Sequence, residues 1–252
     1  MIQFLKETIL SVKAYFQAFK FVSDQKMWEN VFAAAFFNLF AFIFVGIIAW
    51  LYTGQLIEWL NTLISYPENW GFWSDVLRYT LGFLVRFILF LAYFNLFKYI
   101  ILFIFAPVLA IISEKTQNIL NGQKRQLKLQ QIVNDIIRGM FIAIILISLQ
   151  GLSWVILLFL CVSVPFLAPF YAVFLFLSES FFFGASMVDY RNEYFHLTVS
   201  QSLKKIFRHK GLAFGNGLSL NLFMLIPVIG VLIGPSLAVI SAGIVANSTF
   251  QK

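Results

Sequence analysis

Two cations stand where lipid would be expected. Arg86 and Lys98 lie within a long apolar run, Val76–Ile112, that also holds Arg78 near its start. The uncharged stretches around them are short: 79–85, 87–97 and 99–113. A spanning helix needs about 20 apolar residues, so any such window carries Arg86 or Lys98 in or near hydrocarbon. Charges at that depth are costly and usually serve a cavity, a partner or a permeating ion. An anion that sheds its hydration needs cations or helix N-termini in exchange. The structural alternative is that one cation pairs with Glu179, an acid inside another apolar run, while the other snorkels to headgroup depth.

A second set of cations is clustered rather than isolated. Arg191, Lys204, Lys205, Arg208 and Lys210 form a basic patch between two apolar runs. Such a patch either meets anionic headgroups or collects anions at a pore mouth. Asp189 and Glu193 flank Arg191 and are expected to pair with it locally. Glycines 211, 215, 217, 230 and 234 either expose backbone amides to an anion or let helices approach closely. Gly230 and Gly234 are the anion candidates among them, at an expected Pro-Gly tip.

Metal and catalytic chemistry find less support. Cys161 is the single cysteine, which excludes an intramolecular disulfide and a cysteine-rich metal site. His196 and His209 show no zinc-ligand spacing, so no metal and no cofactor is expected. Gly184-Ala185-Ser186-Met187 is similar to the serine motif of rhomboid-type intramembrane proteases and would need His196 as its base. The motif's last glycine is missing and His196 lies in a polar segment, so no catalytic residue is assigned.

The elements that must position these residues are set by an apolar composition. Of the 252 residues 61% are hydrophobic and 12% charged, against about 45–50% and about 25% in soluble domains. With 32 phenylalanines, the chain has too little polar surface to cover itself in water. The expected class is an all-α integral membrane protein forming a single membrane domain. Lys+Arg exceed Asp+Glu by 18 to 11, a net +7 spread along the chain. On a membrane protein that excess points to cytoplasmic loops and anionic lipid rather than nucleic acid.

Residues 1–24 read as an amphipathic interfacial helix. Leu5, Ile9, Val12, Phe16 and Phe19 share one helical face, flanked by Lys6, Lys13 and Lys20. Those lysines interrupt any signal-peptide core. Residues 31–52 form an uncharged span bracketed by Trp28 and Trp50. Residues 53–75 carry Glu58, Glu68 and Asp75 with no lysine or arginine, and belong outside by the positive-inside rule. The basic segments, and with them both termini, then lie on the cytoplasmic side. Residues 76–112 make a second long span. Residues 139–188 and 211–250 are apolar hairpins broken by Pro165 and Pro169, and by Pro227 and Pro235. The arms 211–226 and 236–250 are too short to cross about 30 Å of hydrocarbon, so a re-entrant hairpin is expected.

The motifs in this frame resemble a known family. Ala106-Pro107-Val108-Leu109-Ala110-Ile111-Ile112-Ser113-Glu114-Lys115 is similar to a motif of the CysZ-type membrane proteins, which share a family with the etoposide-induced eukaryotic protein. Met187-Val188-Asp189-Tyr190-Arg191, Ser202-Leu203-Lys204-Lys205-Ile206, Arg208–Gly217 and the segments Ile226–Gly230 and Gly234-Pro235 resemble its C-terminal hallmark. The resemblance implies a bacterial inner-membrane protein with two long transmembrane helices, two membrane-inserted hairpins and a homo-oligomeric assembly. It also implies sulfate uptake in the members that gave the family its name. Those members bear Gly-Leu-Arg before the first span, where this chain has Lys26-Met27-Trp28-Glu29-Asn30.

The expected function is therefore a permease or channel for a small, sulfate-like anion, with no enzymatic activity. The expected partners are the bilayer, anionic headgroups, a small inorganic anion and further copies of the chain. Without a P-loop to drive it, transport would follow the ion's gradient. The alternative is a membrane-shaping or scaffold protein of the same family, occupying one leaflet with its hairpins and N-terminal helix.

Overall fold

A computed structural model describes residues 1–63, 72, 75–77, 79–87, 89, 105–122, 129–226 and 229–250. The chain divides into two compact units, Met1–Phe36 with Leu102–Lys252, and Phe37–Ile101. All regular structure among the described residues is helical. The labelled helices are α1 (Ile2–Asp24), α2 (Trp28–Leu63), α3 (Ala106–Asn121) and α4 (Leu129–Ser163), followed by α5 (Tyr171–Tyr194), α6 (Val199–Arg208), α7 (Lys210–Met224) and α8 (Ile229–Phe250). Among the described residues, four segments are long and apolar enough to cross a bilayer: Trp28–Gln55, Ile137–Ser163, Pro165–Tyr194 and Ile229–Phe250.

The unit Phe37–Ile101 contains most of α2 and the helical residues 79–87. Phe40, Phe44, Trp50, Leu51, Trp59, Phe83 and Phe87 are all exposed there. Phe40 stacks on Phe44 and Phe83 on Phe87, each pair one turn apart on its own helix. Bare aromatic surface of this extent is a face for lipid or for protein, not for water.

The larger unit is organised around α8. Of its most apolar window 78% is buried, against 22%, 17% and 11% in the other three spans. Around it the helices meet through small residues. A methyl built on Gly217 of α7 would lie 1.8 Å from the Ser180 carbonyl oxygen of α5, and one on Gly184 of α5 would lie 1.9 Å from the Ala213 carbonyl oxygen of α7. No side chain fits there. Between apolar helices in lipid, such backbone approach and short polar links supply much of the attraction. Asn221 donates to Ser180 (3.0 Å), and Asn216 donates to the Ala238 carbonyl (3.0 Å) and to Ser241 (2.6 Å).

Helix α1 is packed into this unit by the face that the sequence hides. Its buried residues are Glu7, Ser11, Ala14, Tyr15, Ala18 and Val22. Ser11 donates to the Leu212 carbonyl (2.9 Å) and Tyr15 to the Gly234 carbonyl (3.1 Å). Gly211 and Gly215 of α7 leave room for the α1 backbone, since a methyl on either would meet Phe4 or Thr8. Leu5, Ile9 and Phe16 of the expected stripe are exposed. The interfacial stripe and the packing face are thus different faces of one helix.

The first hairpin breaks at Pro165 and Pro169, as their spacing predicts, whereas the second does not break at Pro235. Helix α4 ends at Ser163, and Pro165–Phe170 forms a 3-10 turn against which Cys161 is buried, its thiol 3.7 Å from the Leu167 carbonyl. In the second hairpin α8 begins at Ile229 and continues through Pro235. Its 22 residues make a rod of about 33 Å, whereas α7 has 15 residues. Tight packing of buried Gly234, Pro235 and Ser236 outweighs the local helix-breaking tendency of proline. Of the expected helix over 76–112, positions 78, 88 and 90–104 lie outside the described residues. Its far end belongs to α3, which opens at Ala106 with Pro107 in the first turn and closes on the left-handed Gly122.

Gly184→Ala and Gly217→Ala should each destabilise the protein by about 1–3 kcal/mol through overpacking of the crossing. Gly151→Ala, where open space surrounds the glycine, should cost nothing or stabilise slightly. Thermal unfolding in detergent checks this, and equal tolerance at all three positions would reject the close crossing.

Candidate functional site

A cluster of charged residues in the larger unit sits at one end of the helices, where α5 and α8 finish and α7 starts. The last turns of α5 hold Asp189, Arg191 and Glu193, all buried. Residues two apart on a helix do not share a face, and the structure separates them accordingly. Asp189 accepts from Arg138 of α4 at 2.8 and 3.3 Å and from the Ser202 hydroxyl of α6 at 2.5 Å. Glu193 lies 3.7 Å from the same guanidinium. Arg138 also donates from Nε to the Leu197 carbonyl at 2.5 Å. The expected local pairing of Asp189 and Glu193 with Arg191 is corrected: both acids belong to Arg138, across helices.

Arg191 faces another environment. It is 4% exposed, and its Nε donates to Asn247 Oδ1 of α8 at 3.0 Å. Its guanidinium carbon stands 4.1 Å from the Phe195 ring centroid and 4.9 Å from that of Phe250. Lys205 Nζ is 4.5 Å from the same Phe250 centroid. Burial, and then the Arg191 charge, pull the Lys205 ammonium below its ordinary range. Among the described residues no carboxylate lies within 4.0 Å of either cation.

Next to them, His209 Nδ1 is 2.7 Å from Glu7 Oε1, and the imidazole ring lies 4.9 Å from the Phe250 centroid. Gln3 donates to the same carboxylate oxygen at 2.8 Å. Helix α6 is started by a capping box, with Thr198 and Gln201 each satisfying the other's backbone. It buries Ser202 and Ile206 and sets Lys205 half-inward, while Lys204 and Arg208 stay exposed. Lys210, at the start of α7, is exposed too.

The basic patch is therefore resolved into two classes: Arg191 and Lys205 over one aromatic ring, and Lys204, Arg208 and Lys210 on the surface. Asn247 and Phe250 complete the inner group and were hidden in an apolar run, where only the polar amide of Asn247 hinted at a role. Arg86 is exposed on the helical residues 79–87, in the other unit. Lys98 lies outside the described residues. Gly230 and Gly234 are buried at helix contacts, their Cα hydrogens facing Phe223 and Leu220 of α7. Ser186 donates to the Phe182 carbonyl one turn earlier at 3.2 Å, and Gly184 forms the α5–α7 crossing.

The comparison with known families bears on the same residues. Residues 14–235 match the family described as sulfate transporter CysZ/etoposide-induced protein 2.4. The chain belongs to that family. A search of curated proteins returns no match. The matched span includes Arg138, Asp189, Arg191 and Lys205 but stops short of Asn247 and Phe250. Within the matched span, Lys115 of α3 donates to Asn30 at the start of α2.

Arg138→Gln should destabilise the protein by about 3–5 kcal/mol, because it takes the paired cation from buried Asp189. Adding Asp189→Asn should recover part of that loss rather than add to it. A double-mutant cycle read by thermal unfolding tests this, and strict additivity would contradict the pairing.

Proposed function

We propose that the chain is a permease or channel for a small inorganic anion of the sulfate type. The observation that carries the reading is a buried guanidinium with a second cation beside it and no acid among the described residues. In the same unit Arg138 has two carboxylates, so the absence at Arg191 is not a general feature of the fold. Burying an unpaired charge costs several kcal/mol, and an arriving anion removes that cost. Family membership and four apolar segments of spanning length support the same reading.

On this reading the protein sits in the inner membrane with both termini cytoplasmic, and Arg191 and Lys205 lie at the cytoplasmic mouth. Arg86 and Lys98 remain candidate anion contacts of the unit Phe37–Ile101, considered by itself. The exposed aromatic faces would meet lipid and further copies of the chain, and the outer lysines would meet anionic headgroups. Ion flow would be passive, and no catalytic step is assigned. The second reading, a membrane-shaping protein, draws on the outward stripe of Leu5, Ile9 and Phe16 flanked by Lys6, Lys13 and Lys20, which suits one leaflet's surface.

Proteoliposomes loaded for radiolabelled sulfate uptake decide between the two. Saturable uptake above empty liposomes, reduced at least about tenfold by Arg86→Ala with Lys98→Ala, is expected of the permease. Wild-type uptake equal to that of empty liposomes rejects it and leaves the membrane-shaping reading.

A further inference from the structure

The same end of the bundle carries a more specific assignment, which takes from the permease reading only the class of ligand. We propose that Arg191, Lys205 and the Phe250 ring form a binding site for one tetrahedral oxyanion, either a free sulfate or phosphate or the phosphate of a lipid headgroup.

Donor chemistry selects the ligand. Arg191 commits Nε to Asn247 and, among the described residues, has no acceptor on its two terminal nitrogens. Those nitrogens form a planar fork that matches two oxygens of a sulfate or phosphate, a geometry that a spherical halide cannot use fully. Lys205 adds a compact charge at the same ring, 4.5 Å from its centroid. The ring faces attract both cations but accept no conventional hydrogen bond from them, so the donors stay available. Two like charges held over one ring repel, and this repulsion adds to the larger effect of burial in lowering the Lys205 ammonium. A dianion between them reverses the sign of the interaction.

The neighbours narrow the choice further. Asp189 and Glu193 are occupied by Arg138, and Glu7 by His209 and Gln3. Each nearby acid thus has its own cation or donor, which leaves Arg191 and Lys205 as the surplus. The surplus is placed by three elements at once: the end of α5, the inward side of α6 and the end of α8. Lys204, Arg208 and Lys210 surround it on the surface and raise the local concentration of either kind of anion.

The test is equilibrium dialysis of radiolabelled sulfate against the full chain in phosphatidylcholine nanodiscs, and in discs with added phosphatidylglycerol. In phosphatidylcholine the wild type should bind sulfate saturably, and Arg191→Gln and Lys205→Gln should each weaken binding about tenfold or more. Lys13→Gln, on the exposed side of α1, should change it less than about twofold. Lys205 is half-buried, so its variant carries the test if Arg191→Gln fails to fold. If the lipid phosphate is the occupant, phosphatidylglycerol abolishes sulfate binding and stays with purified wild type but not with Lys205→Gln. Binding of both ligands unchanged by Lys205→Gln overturns the site. Arg191- and Lys205-dependent binding without wild-type flux removes the permease reading and leaves the site standing. Flux with binding indifferent to both residues does the reverse.

Discussion

The contact that the larger unit depends on is between backbones. At the α5–α7 crossing, Gly184 and Gly217 bring each helix against a carbonyl of the other, at distances no methyl could occupy. Lipid gives little hydrophobic drive for two apolar helices to associate, so close packing and short polar links must provide it. That crossing fixes how far α5 reaches past α7. It thereby sets Asp189, Arg191 and Glu193 level with the α6–α7 junction. The glycines at 211 and 215 do the same for α1, whose Glu7 meets His209 at that end. Small residues in the apolar part of the bundle thus decide which charges meet outside it.

The charges then sort by helical period. Three ionisable residues in alternate positions cannot form one cluster on a helix, because successive side chains turn by about 100°. Asp189 and Glu193, four apart, share a face and hold Arg138. Arg191 is turned toward α8 and two phenylalanine rings. A short sequence that looks self-neutralising is thus divided into an ion-paired structural group and a cation with no carboxylate partner among the described residues.

Much of this was legible in the sequence and some was not, for identifiable reasons. The apolar composition and the uncharged runs indicate an all-helical membrane chain, and the motifs from Ala106 to Lys115 and from Met187 to Pro235 resemble the family to which it belongs. The packing face of α1 was obscured because Ser11, Ala14 and Ala18 add little hydrophobicity. In lipid the large apolar residues turn outward, so the strongest stripe marks the face that is not packed. Pro235 suggests a break, but burial of its surroundings sustains the helix. The partner of Asp189 lies 51 positions away at Arg138, and no local spacing announces it. Phe250 and Asn247 belong to the site only because α8 ends where α5 ends, a fact of topology rather than of pattern.

The polar residues inside the unit bear on where an anion could travel. Asn216 and Asn221 use their amide hydrogens on Ala238, Ser241 and Ser180, and Tyr15 uses its hydroxyl on Gly234. These groups hold α1, α5, α7 and α8 together. An ion passing between them would have to break those links and separate backbones that are in contact at Gly184 and Gly217. Opening that core for each ion would cost more than the links themselves, since the packing beside them would be lost as well. The interior of the larger unit is therefore closed by packing and by hydrogen bonds.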